Sequence, residues 1–195
     1  MNEEHTRVPL LDGVGLLERA ITYTLGSLHL VTQADLLCST PCRDWDLRAL
    51  LRHMEESLVA LHEAVDTGHV GIEALAEDGD PAVDPVTALR NRACRLLGAS
   101  TGAGSRDVVS IADAELTTGI VTSTGALEIA VHGWDIARAR RDHRPIPEPL
   151  AEEMLALLPL FVTDADRPGR FAAPVDVPPW AGPGDRLLAF LGRDP

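Results

Sequence analysis

Aromatic side chains are scarce in this sequence. They make up 4% of 195 residues, against 45% hydrophobic residues overall. Leu and Ala supply most of that hydrophobicity, which favours helix packed on helix over a sheet sandwich. Positive charge is also in short supply: 17 basic against 30 acidic side chains leave a formal net charge of −13. A field of that sign repels phosphate backbones, and no basic cluster overrides it locally, so nucleic-acid binding is not expected. No apolar run approaches the roughly 18 residues that a membrane-spanning helix needs. The N-terminal MNEEHTRVPLLDG is acidic and lacks the basic stretch and apolar core of an export signal, so a cytoplasmic protein is expected.

Cysteine is too sparse for a disulfide framework. The three residues Cys38, Cys42 and Cys94 are an odd number, and reduced thiols are the default in the cytosol. Cys38 and Cys42 are four apart, but no second Cys/His pair completes a zinc-knuckle pattern. Cys42 is read as a packing residue at the start of the second helix.

What is present is helical periodicity. Val14, Leu17, Ile21, Leu25, Leu28 and Val31 recur at steps of three and four and predict a first helix over 12–37, with Asp12 as N-cap. The STPCRDW stretch breaks it. A second helix begins near Asp44 or Asp46, carries the stripe Leu47, Leu50, Leu51, Met54, Leu58, Leu61 and Val65, and stops at Gly68. Residues 69–83 read as a polar surface connection. Asp84-Pro85 opens a third helix running to about Leu97, followed by a flexible loop over 98–105.

Two β-rich stretches, 107–112 and 115–121, then predict a hairpin or crossing strands. A fourth helix opens near Thr122–Thr124 and buries Leu127, Ala130, Val131, Trp134 and Ala137. A fifth covers about 148–163, with Pro159 kinking or ending it. The tail holds an extended piece over 171–177 and a last amphipathic turn over 185–193. The expected fold is mainly α, a helical bundle over 1–165 with short strands, and a short C-terminal extension over 166–195 packing on it.

One constellation carries chemistry. Glu128 and His132 are four apart in ALEIAVHGWDIARA, so a helix sets them one turn apart on one face. A carboxylate oxygen and an imidazole nitrogen so placed can meet one ion at about 2.0–2.2 Å. Leu127, Val131 and Trp134 flank the pair, and burying an ionised Glu without a positive partner costs several kcal/mol. If the second and fourth helices are neighbours, His53 points into the same space. A His₂Glu set leaves one coordination position open, the arrangement of a catalytic rather than a structural site. Taken alone, the pair also fits an exposed ion pair or a satisfied core histidine. His29, His62, His69 and His143 are isolated and carry no metal reading. Asp135, three beyond His132, can orient the imidazole or pair with Arg138 or Arg48 in a helix salt bridge. Trp45 and Trp134 read as core or pocket wall.

The runs TPCRDWDLRALLRHMEE, EIAVHGWDIARA and the terminal DRLLAFLGRDP, in that order, resemble the actinobacterial DinB-like, mycothiol-dependent maleylpyruvate isomerase family in its short form. The resemblance implies a DinB-like four-helix bundle and a divalent ion, zinc first with Ni²⁺ or Fe²⁺ as alternatives, held by His53, Glu128 and His132. It further implies mycothiol as a low-molecular-weight thiol co-substrate, activated by the ion to attack an electrophilic small molecule, as an S-transferase or a thiol-dependent isomerase. Arg48, Arg52 and Arg138 are candidates for holding an anionic substrate or the thiol. Two alternatives stay open: a metal-dependent hydrolase or other Lewis-acid enzyme using water, and a metal-binding protein without turnover. A bundle of this size is also a candidate homodimer.

Overall fold

A computed structural model describes residues 13–71, 84–102, 107–167 and 170–195. It is mainly helical. Four helices form the bundle: α1 (Gly13–Leu28), α2 (Leu47–Thr67), α3 (Pro85–Gly102) and α4 (Thr118–Ala139). In it α1 packs on α4 and α3, and α2 on α3 and α4, so each helix has two neighbours. Helices α5 (Glu148–Phe161) and α6 (Pro183–Phe190) pack on each other, with α5 also against α4 and α1. A small sheet, β1 (His69–Val70), β2 (Val108–Ile111) and β3 (Ala114–Thr117), pairs β1 parallel to β2 and β2 antiparallel to β3.

The local causes are legible in α2. Asp46 has extended backbone and its carboxylate accepts from the Ala49 N–H at 2.8 Å, an N-cap. At the other end Gly68 takes φ 74° and donates its N–H to the Ala64 carbonyl, which ends the helix in the left-handed region that glycine reaches without strain. The stripe from Leu47 to Val65 is buried as the periodicity predicts.

Helix α4 differs in kind. It is buried nearly all round from Val121 to Ala137, as a helix at the centre of the bundle must be. Close approach to α1 is achieved at Gly133, where a Cβ would collide with the Thr24 hydroxyl; that hydroxyl donates to the Ile129 carbonyl at 2.8 Å.

Several boundaries depart from the sequence reading. The first helix ends at Leu28 rather than 37, because Thr32 opens a separate 3₁₀ turn, Gln33–Leu37, and is tied to it by its own N–H and hydroxyl donating to Asp35 at 2.8 Å. The expected cap at Asp12 lies outside the described residues. His69 and Val70 are a strand rather than part of the connection, and the rest of that connection, 72–83, is not among the described residues. Helix α3 continues past Leu97 to Gly102, into the loop expected over 98–105, and the rest of that loop, 103–105, lies outside the described residues. The hairpin exists but is shorter: Thr117 caps α4, its hydroxyl accepting from the Ile120 N–H at 3.3 Å, so the helix starts four residues before the expected Thr122. Pro159 falls in the last turn of α5, where the ladder ends two residues later. Residues 171–177 form no ladder strand, although the Val175 N–H donates to Ala189.

Candidate metal centre

Three segments converge at one end of the α2–α4 contact. Helix α2 supplies His53; α4 supplies Glu128, His132 and Asp135; the loop before α2 supplies Cys42 and Trp45. That loop is closed by a bridge between Ser39 and Asp46 and by the Leu47 N–H donating to the Cys38 carbonyl at 2.9 Å. Thr40 stitches its interior, accepting from the Cys42 N–H at 3.2 Å and donating to the Trp45 carbonyl at 3.0 Å. Asp44 takes φ 69° at its tip, a conformation that Asp tolerates better than most residues.

The structure brings His53, Glu128 and His132 together. Glu128 Oε1 lies 2.6 Å from His53 Nε2 and 3.1 Å from His132 Nε2. The imidazole rings stand edge-on, centroids 5.2 Å apart. One donor atom from each residue falls within 4.8 Å of the others. Donors around a tetrahedral ion at about 2.0–2.2 Å sit about 3.3–3.6 Å from one another; the 2.6 and 3.1 Å contacts of Glu128 are hydrogen-bond distances, so the set fits a divalent cation in donor chemistry once the carboxylate draws back by several tenths of an ångström. His53 and Glu128 are each 35% exposed while His132 is 8% exposed, so the cluster opens to solvent on the His53–Glu128 side. Trp45 walls it, its ring 4.8 Å from His53 and 6.4 Å from His132 by centroids.

Behind His132 lies a second group of donors. Its Nδ1 is 2.8 Å from Asp135 Oδ2, which leaves Nε2 turned toward Glu128. Asp135 is fully buried and also accepts from Arg193, Nη2 to Oδ2 at 2.9 Å and Nε to Oδ1 at 3.3 Å, and from the Cys42 thiol at 3.3 Å. Cys42, His132 and Asp135 are also close enough to share an ion. Arg193, with Nη2 3.7 Å from Cys42 Sγ, already supplies the positive charge there, so this group reads as a support for His132.

Electrostatics follow the geometry. Burial opposes charge on Glu128, but His132 and His53 beside it hold its carboxyl well below the usual range. Burial likewise opposes charge on His132, and Glu128, with hydrogen bonds to Asp135 and Cys42, raises its pKa well above the usual imidazole value. Asp135 is depressed despite burial because His132 and Arg193 favour its ionised form.

Arg48, Arg52 and Arg138 all sit at exposed positions. Arg138 lies over the Trp134 ring at 5.3 Å rather than on Asp135, so the pairing of Asp135 with Arg48 or Arg138 gives way to Arg193. The i, i+3 spacing allows an Asp135–Arg138 pair, but Asp135 is fully buried with His132 while Arg138 lies exposed over Trp134. Arg193 was missed as a site residue because 58 residues separate it from Asp135. The only signal was the terminal DRLLAFLGRDP run. Cys42 likewise proves to be a hydrogen-bond donor to Asp135 and not packing alone.

The fold and the site define a mainly helical, DinB-like bundle with a convergent His/Glu donor set. The chain belongs to the mycothiol maleylpyruvate isomerase N-terminal domain family, whose family model matches residues 17–137. That span includes His53, Glu128, His132, Asp135 and Cys42 and stops short of Arg193. No curated protein and no solved structure matches the chain. Among the described residues, no helix is long and apolar enough to cross a membrane.

Proposed function

We propose that His53, Glu128 and His132 hold a divalent ion, zinc first, and that the protein activates a low-molecular-weight thiol, mycothiol, for attack on an electrophilic small molecule. The reaction class is an S-transfer or a thiol-dependent isomerisation. The observation that carries this reading is the convergence of two imidazole nitrogens on one carboxylate oxygen at 2.6 and 3.1 Å, at a solvent-open end of an otherwise apolar bundle. Family membership supports the thiol.

When bound, such an ion lowers the pKa of a coordinated thiol so that the nucleophile is available at neutral pH. The chain's own residues prepare the place for it. Asp135 holds the Nδ1–H of His132, which keeps the Nε2 lone pair aimed at the donor cluster. Glu128 offers a negative oxygen between two imidazoles, so its charge offsets part of the ion's. Trp45 covers one side and gives a small ligand an apolar wall. The partial exposure of His53 and Glu128 leaves an approach for a substrate.

The test is metal analysis of the full chain followed by thermal shift with mycothiol. Bound zinc near one per chain, lost in His53→Ala and Glu128→Ala, and a mycothiol-dependent rise in Tm that needs the metal are expected. A wild-type chain that takes no divalent ion would sink the proposal. Metal binding without any response to mycothiol, together with ester hydrolysis, would replace the thiol by water.

A further inference from the structure

The buried fork joins Asp135, inside the stretch that the family model matches, to Arg193, outside it. Only Asp194 and Pro195 follow Arg193 in the sequence, yet its side chain is 14% exposed and both of its contacts to Asp135 are within hydrogen-bond distance. The chain is shaped to deliver it. Leu187, Leu188 and Leu191 of α6 and its cap are buried in the main core. Gly192 then takes φ 80°, and a Cβ there would collide with Ala172, so only glycine turns the chain at this point. The Arg193 N–H closes the turn on the Leu188 carbonyl at 3.0 Å, and its Nη1 donates to Leu191 at 3.3 Å.

We propose that Arg193 is a positioning residue of the metal centre: through Asp135 it fixes the His132 ring, so the C-terminal tail is a working part of the site. This rests on the metal reading of His53, Glu128 and His132. The carboxylate of Asp135 has one oxygen, Oδ2, that receives His132, Cys42 and Arg193 together. Only the two-point grip of Arg193 on both oxygens sets the plane of that carboxylate. A planar guanidinium supplies such a grip and an ammonium does not. Without it, Asp135 is free to rotate, and the hydrogen bond that orients His132 loses its fixed direction. Partners of this kind behind a ligating histidine are worth about 10–100-fold in metal affinity.

A plain anchoring role for the tail is separable, because a second arginine anchors the same segment elsewhere. Arg167 donates to the Phe190 carbonyl at 3.0 Å and the Ala172 carbonyl at 3.2 Å and covers the Phe190 ring.

The experiment compares wild type, Arg193→Ala, Arg193→Lys and Arg167→Ala as full chains. Zinc affinity is read by competition with a chromophoric chelator, and the His132 Nδ1–H proton by NMR of the metal-free proteins. Arg193→Ala is expected to weaken zinc about 10–100-fold and to lose the protected Nδ1–H resonance to exchange with water. Arg193→Lys falls between, and decides the matter if the alanine variant does not fold. Arg167→Ala lowers Tm and leaves zinc affinity and the resonance unchanged. Unchanged affinity and resonance in both Arg193 variants overturns the proposal. So does an equal loss of affinity in Arg167→Ala, or a folded wild type with no protected Nδ1–H. If wild type takes no zinc at all, the proposed function falls, and the resonance alone decides the role of Arg193.

Discussion

His132 sits between two carboxylates, and that position governs how the site responds to pH. Its pKa is raised well above 6.5, which favours the protonated imidazole in the metal-free protein. An ion needs the neutral ring. Loading should therefore release a proton, and apparent affinity should climb by about tenfold per pH unit until the raised pKa is passed. Calorimetry in buffers of different ionisation enthalpy measures this directly; zero proton release at pH 7 would contradict it. The stability of the metal-free protein follows with its own signs. The contribution of His132 is complete below about 6.5 and is lost as pH rises through the raised value, whereas that of Glu128 is complete above about 4.5 and is lost as pH falls through its lowered one. Asp135 is a separate matter. Asp135→Asn leaves Arg193 buried without its counter-charge, and should cost about 3–5 kcal/mol in urea unfolding. A loss below about 1 kcal/mol would mean the fork adds little to stability.

At the level of elements, α4 carries both the site and the tightest packing. Gly133 adjoins His132 and abuts Thr24 of α1. Gly133→Ala gains about 1 kcal/mol of helix propensity but forces the two helices apart, at about 1–3 kcal/mol for overpacking. Net destabilisation is expected. Gly98 in α3 is the control: a Cβ there meets nothing within 4 Å, so Gly98→Ala should stabilise by up to about 1 kcal/mol. Chemical denaturation of the two variants side by side tests the contrast, and equal shifts would refute the packing argument. The strong caps of α2 explain why its limits were readable in advance. The first helix was not, because a T-x-x-D cap inside a continuous apolar rhythm restarts the chain at Thr32 without interrupting the periodicity.

For the whole molecule, the C-terminal segment is integral. Deleting residues 183–195 removes Leu187, Leu188 and Leu191 from the core, each worth about 1.5–3 kcal/mol when fully buried. Their sum rivals the total stability of a typical domain, about 5–15 kcal/mol. The truncated chain should lose its cooperative thermal transition in calorimetry; a truncated chain with the wild-type Tm would make the tail an independent appendage.

Local chemistry along the chain was enough for the helical class, the stripe and caps of α2, and the placement of Glu128 and His132 on one face. Each of these depends on neighbours within a few residues, where the helix repeat and capping chemistry act. The stripe of the second helix offered His53 as their partner if the two helices were neighbours, and the family motifs supported it. Packing alone established that His53 meets Glu128 across two helices and that Arg193 rather than Arg48 or Arg138 grips Asp135. Those outcomes depend on how α2, α4 and α6 pack against one another. Periodicity fixes the face that a residue occupies, and the partner facing it is chosen only when the core closes.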